Sequence, residues 1–177
     1  MRQLLSRRLL LPLLLILTLP WGIVSCGYHL PGWADVAKVE PRPVHIAIFV
    51  NKTYRAHLEG KITNQVIQEF SRGKAFPVAH SEDAQLELSG SITSYSAPTV
   101  AYSATDTAVI YRATMTIEAT LREKATNRVV WKGSLSASEE YPAQADLALQ
   151  QNSEDAAIDS ISRKLSQRLY LDIVEDF

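Results

Sequence analysis

Hydrophobic and polar positions alternate along most of this chain after its first forty residues, and the period of the alternation changes three times. From Val44 to Val50 the apolar residues Val44, Ile46, Ile48 and Val50 interleave with His45, Ala47 and Phe49. This predicts a strand with both faces largely apolar, covered on at least one side. Leu58, Ile62, Val66, Ile67 and Phe70 then recur at helical spacing, predicting an amphipathic helix that stops at Gly73. From Ala84 the period returns to two, with Leu86, Leu88, Gly90 and Ile92 against Glu87, Ser89, Ser91 and Thr93.

The third strand is the clearest. Tyr111, Ala113, Met115, Ile117, Ala119 and Leu121 alternate with Arg112, Thr114, Thr116, Glu118, Thr120 and Arg122. Lys124 to Arg128, with Asn127 suited to a positive φ, predicts a tight connection into a fourth strand through Val129, Trp131, Leu135 and Ala137. After Pro142, Asn152 is a candidate N-cap with Glu154 and Asp155 in the first turn. Ile158, Ile161, Leu165, Leu169 and Ile173 form the apolar stripe of a long closing helix.

The order is therefore β-α-β-β-β-α, an α/β (α+β) fold. A right-handed crossover makes the first two strands parallel and hairpins make the later ones antiparallel, giving a mixed four-stranded sheet with two helices on one face. The Thr-rich face is left open.

Composition adds an anchor to this picture. Cys26, the only cysteine, closes a basic start (Arg2, Arg7, Arg8) and the leucine-rich stretch Leu9 to Leu19. That stretch, broken by Pro12 and Pro20, falls short of the ~20 apolar residues that cross a bilayer, so residues 1 to 25 read as an export signal. Ile23, Val24, Ser25 and Cys26 resemble the bacterial lipobox. The resemblance implies a diacylglycerol thioether on Cys26, cleavage before it and acylation of the new N-terminus, with membrane attachment through the acyl chains at about 0.8 kcal/mol per buried methylene. Gly27 stands where an Asp would direct retention at the inner membrane, so the outer membrane is expected.

Removing residues 1 to 25 from the 177 leaves 152, enough for one domain with its own core. Residues 26 to 43, with Pro31, Gly32, Pro41 and Pro43, read as a lipidated tether, and residues 44 to 177 as the domain. Three of the 18 basic residues leave with the signal, so the mature chain has 15 against 19 acidic and carries no general attraction for nucleic acid.

Candidate chemistry is sparse. His29, His45, His57 and His80 show neither metal-ligand nor triad spacing, and there is no phosphate loop or nucleophile elbow. Glu139 and Glu140 are adjacent and so point to opposite sides of a strand. No cofactor, metal or enzymatic activity is expected. A strand over residues 109 to 121 would reach ~43 Å, whereas a first helix of ~15 residues covers ~22 Å, so one end of the sheet is expected to project. Tyr95, Pro98, Val100, Tyr102 and Tyr111 lead into that projection with Arg112 at its border, and no Lys or Arg lies between Ser91 and Tyr111. Tyrosines there suit either a protein interface or the end of the core.

Together, Cys26-Gly27-Tyr28-His29-Leu30, Phe49-Val50-Asn51-Lys52-Thr53-Tyr54, Gly90-Ser91-Ile92-Thr93-Ser94-Tyr95 and Ser138-Glu139-Glu140-Tyr141 resemble the LptE family in order and spacing. That resemblance implies an outer-membrane lipoprotein that sits inside the LptD β-barrel translocon, helps it assemble, and takes part in binding lipopolysaccharide on its way to the cell surface. On this reading the segment from Tyr95 to Arg112 and the polar sheet face enter the barrel lumen. The alternative is an auxiliary lipoprotein of another envelope transport or secretion system, forming a homo-oligomeric pore, since the same element order serves both.

Overall fold

The computed structural model describes residues 41–176. The export signal, Cys26 and the tether up to Glu40 lie outside the described residues. The elements are β1 (Val44–Ile46), β2 (Val50–Asn51), α1 (Leu58–Arg72), β3 (Leu86–Ser96), β4 (Thr99–Tyr102), β5 (Ala108–Glu123), β6 (Arg128–Pro142) and α2 (Leu147–Glu175).

These six strand segments lie on four tracks. β1 and β2 both run parallel to β3. β5 is antiparallel to β3 along one half of its edge and to β4 along the other, and β6 pairs with the opposite edge of β5 throughout. The mixed four-stranded sheet read from the sequence is therefore present, with two of its tracks broken.

Two single-residue register shifts, one at the β1–β2 break and one inside β3, decide which side chains reach the core. Ile46 pairs with Leu88 but Val50 pairs with Ser91, so the first track carries one extra residue. The phase turns over at that point: Phe49 is buried while Ile48 and Val50 are 73% and 58% exposed. This corrects the expectation of one uninterrupted strand. The cause is local, because the Phe49 amide leaves the sheet to donate to Thr63 Oγ1 of α1 at 3.0 Å. Its ring then lies against Gly90, where an added Cβ would stand 2.3 Å from Phe49 Cε1. In β3 the shift falls between Ile92 and Ser94. Thr93 is the extra residue, and Tyr95 is thereby turned inward with Ile92.

One face of the sheet is covered by both helices. Leu86, Leu88 and Ile92 of β3 and Ala113, Met115, Ile117, Ala119 and Leu121 of β5 pack against Leu58, Ile62, Val66 and Phe70 of α1 and Ile158, Ile161, Leu165, Leu169 and Ile173 of α2. Each such aliphatic side chain contributes roughly 1.5–3 kcal/mol on burial. Lys61 of α1 ties the helices at the surface through Asp159 at 2.7 Å, and Arg55, in the connection before α1, adds Asp155 at 3.3 Å.

Two boundaries differ from the sequence reading, and a third, Gly73, is met for a different reason. α2 begins at Leu147, with Asp146 accepting from the Leu149 amide at 3.0 Å, so Asn152 sits inside the helix and not at its cap. Asp146 is as good a cap as Asn152, and Leu147, Ala148 and Leu149 are strong helix formers. Gly73 ends α1 in extended backbone, φ −75°, so no left-handed turn demands it. What demands it is Tyr170, whose Oη would lie 2.1 Å from a Cβ at that position. Finally, Arg42 and Pro43, read as tether, belong to the domain: the Arg42 amide donates to the Ala75 carbonyl, its guanidinium pairs with Glu123 at 2.8 Å, and the Pro43 carbonyl accepts from Gln85 and Leu86. Asn127 does take φ 55° in the β5–β6 turn. No helix of the described residues is long and apolar enough to cross a membrane.

Candidate functional site

Where β3 gives way to β4, Pro98 lacks a donor for the ladder but its carbonyl accepts from the Arg112 amide at 3.0 Å. β4 and the first residues of β5 then form a hairpin. Its turn is built by its own groups: the Ser103 amide donates to the Thr107 carbonyl at 2.8 Å, the Asp106 amide donates to the Ser103 carbonyl, and Ser103 Oγ accepts from the Thr105 and Thr107 amides. Asp106 takes φ 55°, a conformation open to Asp.

The hairpin carries Pro98, Val100, Tyr102 and Val109 at the surface, with Tyr102 62% exposed. The Ala143 amide donates to the Val109 carbonyl at 2.9 Å, which brings the link from β6 to α2 against the hairpin. Four residues later the first turn of α2 exposes Leu147 and Leu149, at 73% and 54%. Apolar surface therefore gathers at one end of the domain.

Next to it lies the uncovered sheet face. Its cross-strand rows read Ser96, Thr114, Ser138; then Ser94, Thr116, Ser136; then Ser91, Glu118, Ser134; then Ser89, Thr120, Lys132. Thr116 Oγ1 and Ser136 Oγ are 3.2 Å apart. At the hairpin margin Arg112 Nη2 and Nε donate to Glu140 Oε1 at 2.5 and 3.1 Å, on half-exposed side chains. That pair neutralises the one basic side chain at the hairpin's border.

The residues singled out from the sequence are thus divided. Pro98, Val100 and Tyr102 stand together on the hairpin, and Arg112 stands on the hydroxyl face. Tyr95 and Tyr111 turn the other way, under the helices. Tyr111 is half-buried and stacks on Tyr141 with centroids 5.5 Å apart. Tyr95 is 5% exposed and its Oη donates to Glu154 Oε1 at 2.7 Å. Burial first, and then the carboxylate that accepts its proton, push the Tyr95 phenol far above its ordinary range. Glu154 in turn faces Arg55 Nε at 3.4 Å. Tyr95 therefore anchors α2 over the end of the sheet. Val109, Leu147 and Leu149 were missed; the uncharged run Leu147-Ala148-Leu149 just after Asp146 was their signal in the sequence.

Other concavities hold little chemistry. A cleft of about 340 Å³ between the start of α1 and α2 is lined by Arg55, His57, Lys61 and Asp155, and its Arg and Lys are paired with carboxylates of α2. Among the described residues no group of three or more His, Cys, Asp and Glu is placed to hold a metal ion.

Comparison with known proteins gives the chain its relatives. Residues 42–173 match the family model of LptE, described as lipopolysaccharide-assembly. No curated protein matches the sequence. The fold is shared with a Xanthomonas campestris protein (TM-score 0.59, 12% identity, over 82% of this chain and 89% of that one). It is shared also with a putative lipoprotein from Caulobacter crescentus (TM-score 0.55, 11% identity, over 75% and 88%) and the rare lipoprotein B from Shewanella oneidensis (TM-score 0.52, 10% identity, over 76% and 95%). At such identities these structures speak for the fold alone. The family model spans most of the chain and all of the elements that build the sheet and its helical cover, so this chain belongs to the LptE family of lipopolysaccharide-assembly proteins.

Proposed function

We propose that this chain is the lipid-anchored component that occupies and helps assemble an LptD-type β-barrel translocon, supporting transport of lipopolysaccharide into the outer leaflet. Acyl chains on Cys26 hold it to the outer membrane, and the domain enters the barrel from the periplasmic side with its hairpin and hydroxyl face against the lumen.

The observation that carries this reading is the bare end of the domain. Val100, Tyr102, Val109, Leu147 and Leu149 leave apolar surface uncovered beside a flat face of serine and threonine. Apolar side chains clustered in this way mark a contact surface. A hydroxyl face matches the polar, hydrated interior of a large barrel. Pro98, Val100, Tyr102 and Arg112 are the contact residues at this end, supported from beneath by Tyr95 and Tyr111. Lipopolysaccharide phosphates call for unpaired Lys or Arg. Arg112 is already held by Glu140. The hairpin therefore serves the glycolipid through the barrel and not by a grip of its own.

The test is co-purification of the acylated chain with its barrel from membranes. Val100→Asp with Tyr102→Asp would bury two charges in the contact and lower recovery by at least tenfold, the scale of an interface hot spot. Undiminished recovery would remove this surface from the contact.

A further inference from the structure

Among the described residues β6 pairs only with β5, so the other edge of this 15-residue strand has no partner. Alternate residues of such an edge point their backbone donors and acceptors away from the sheet. The Lys164 ammonium, 3.2 Å from the Ser138 carbonyl, shows which set this is. Ser138 faces outward, and by the period of two so do Lys132, Ser134, Ser136 and Glu140. From Val129 to Tyr141 the strand contains no proline, and its one register shift lies below Trp131, between Leu121 and Arg122 of the partner strand. The edge is guarded only by side chains, Lys132 and Glu140 on the open face and Glu139 with Lys164 and Ser160 of α2 on the covered one, and not by a proline or by a bulge above Trp131.

The side chains along this edge are self-complementary about Ser136. A two-fold axis through Ser136 sets Lys132 opposite Glu140 of a second copy, Ser134 opposite Ser138 and Ser136 opposite itself on the hydroxyl face. On the covered face it sets the half-buried Leu135 opposite Ala137 and Gly133 opposite Glu139, while Trp131 and Tyr141 stay packed in their own core. The charge, hydroxyl and aliphatic pairs are each of a kind that stabilises antiparallel strands. An axis two residues to either side loses the Lys132–Glu140 pair. The outward-facing residues also meet one another, as hydrogen bonding across the seam requires.

Charge and space agree with this. Among the described residues Lys132 has no carboxylate within ion-pair distance. Glu140 keeps acceptor capacity beyond its bond to Arg112. Beside the upper half of the edge, a cleft of about 300 Å³ lies between Glu139–Pro142 and the small α2 residues Ser153, Ala156, Ala157 and Ser160. Lys164 can release the Ser138 carbonyl and stay on Glu139, 2.6 Å away.

We infer that two copies of this chain pair edge to edge through antiparallel β6 strands, with the two-fold axis at Ser136. Self-complementarity is what a symmetric contact demands, and no unrelated strand would need it. The pairing belongs to copies not engaged with a barrel, and it closes the one long edge that would otherwise recruit foreign strands.

Disulfide trapping tests it on the full-length acylated chain, produced in excess over any barrel and oxidised in its membranes. The axis makes residue 136 a hydrogen-bonded pair with its copy, Cα atoms about 5.5 Å apart, within disulfide reach. Ser136→Cys should give a covalent dimer at twice the chain mass, well above the unsubstituted chain and above Thr116→Cys, one strand further in. Ser134→Cys and Ser138→Cys should link poorly alone and efficiently when mixed. Lys132→Glu, which sets two carboxylates face to face at each end of the seam, should reduce the Ser136→Cys dimer at least tenfold. A Ser136→Cys yield no better than Thr116→Cys, a dimer indifferent to Lys132→Glu, or linkage of residue 136 to a different polypeptide would each overturn the inference.

Discussion

Replacing Tyr95 by Phe separates what this tyrosine does from what its exposed neighbours do. The ring is 5% exposed, and the hydroxyl donates to Glu154 at 2.7 Å. A hydrogen bond to a charged group contributes about 1.5–3 kcal/mol. The Glu154 side chain keeps about a fifth of its surface in water and retains Arg55 at 3.4 Å. Solvent and Arg55 together recover part of the loss, which leaves about 1–2 kcal/mol. For a domain of this size that lowers Tm by about 3–8 °C. Thermal melting of the acylated chain in detergent, followed by circular dichroism, measures it. Tyr102→Asp should behave in the opposite way: its ring is 62% exposed, so Tm stays within about 1 °C, while recovery with the barrel falls. A Tyr95→Phe variant with unchanged Tm and abolished barrel recovery would make Tyr95 a contact residue and not an anchor for α2.

Two further outcomes follow from buried polar groups. Ser162 is fully buried on α2 and its Oγ has no hydrogen-bond partner, so Ser162→Ala should be neutral or stabilising by up to about 1 kcal/mol in denaturant unfolding; a clear loss would show that the hydroxyl is bonded. Burial, with the Glu154 carboxylate and Tyr111 nearby, pushes the Tyr141 phenol up to about 12, against about 10 when unfolded. The folded state holds this proton more tightly, so its contribution is complete below about pH 10 and is lost as pH rises toward 12. Tyr141→Phe should therefore flatten the fall of stability over that window, and an equally steep fall would assign it to other groups.

The alternation in β3, β5 and β6 and the apolar stripes of both helices were legible because burial of one face imposes its period directly on the sequence. They sufficed for the order of the main elements, the sheet's mixed character and its open hydroxyl face, but not for the short strand β4, which carries no such alternation with the core. The lipobox and the family resemblance are likewise properties of the string of residues. Tertiary structure alone decided the phase at two points. One extra residue before Phe49 and another at Thr93 exchange inside for outside, and a period of two cannot announce where it slips. That is why Ile48 and Val50 are exposed although they continue an apolar run, and why Tyr95 is buried although it leads into an exposed hairpin. The start of α2 was likewise undecided, because Asp146 and Asn152 are equivalent caps until packing chooses between them. The unpaired edge of β6 was invisible for a simpler reason: local sequence fixes which way a strand's side chains point, but only the assembled sheet determines which strand is left last.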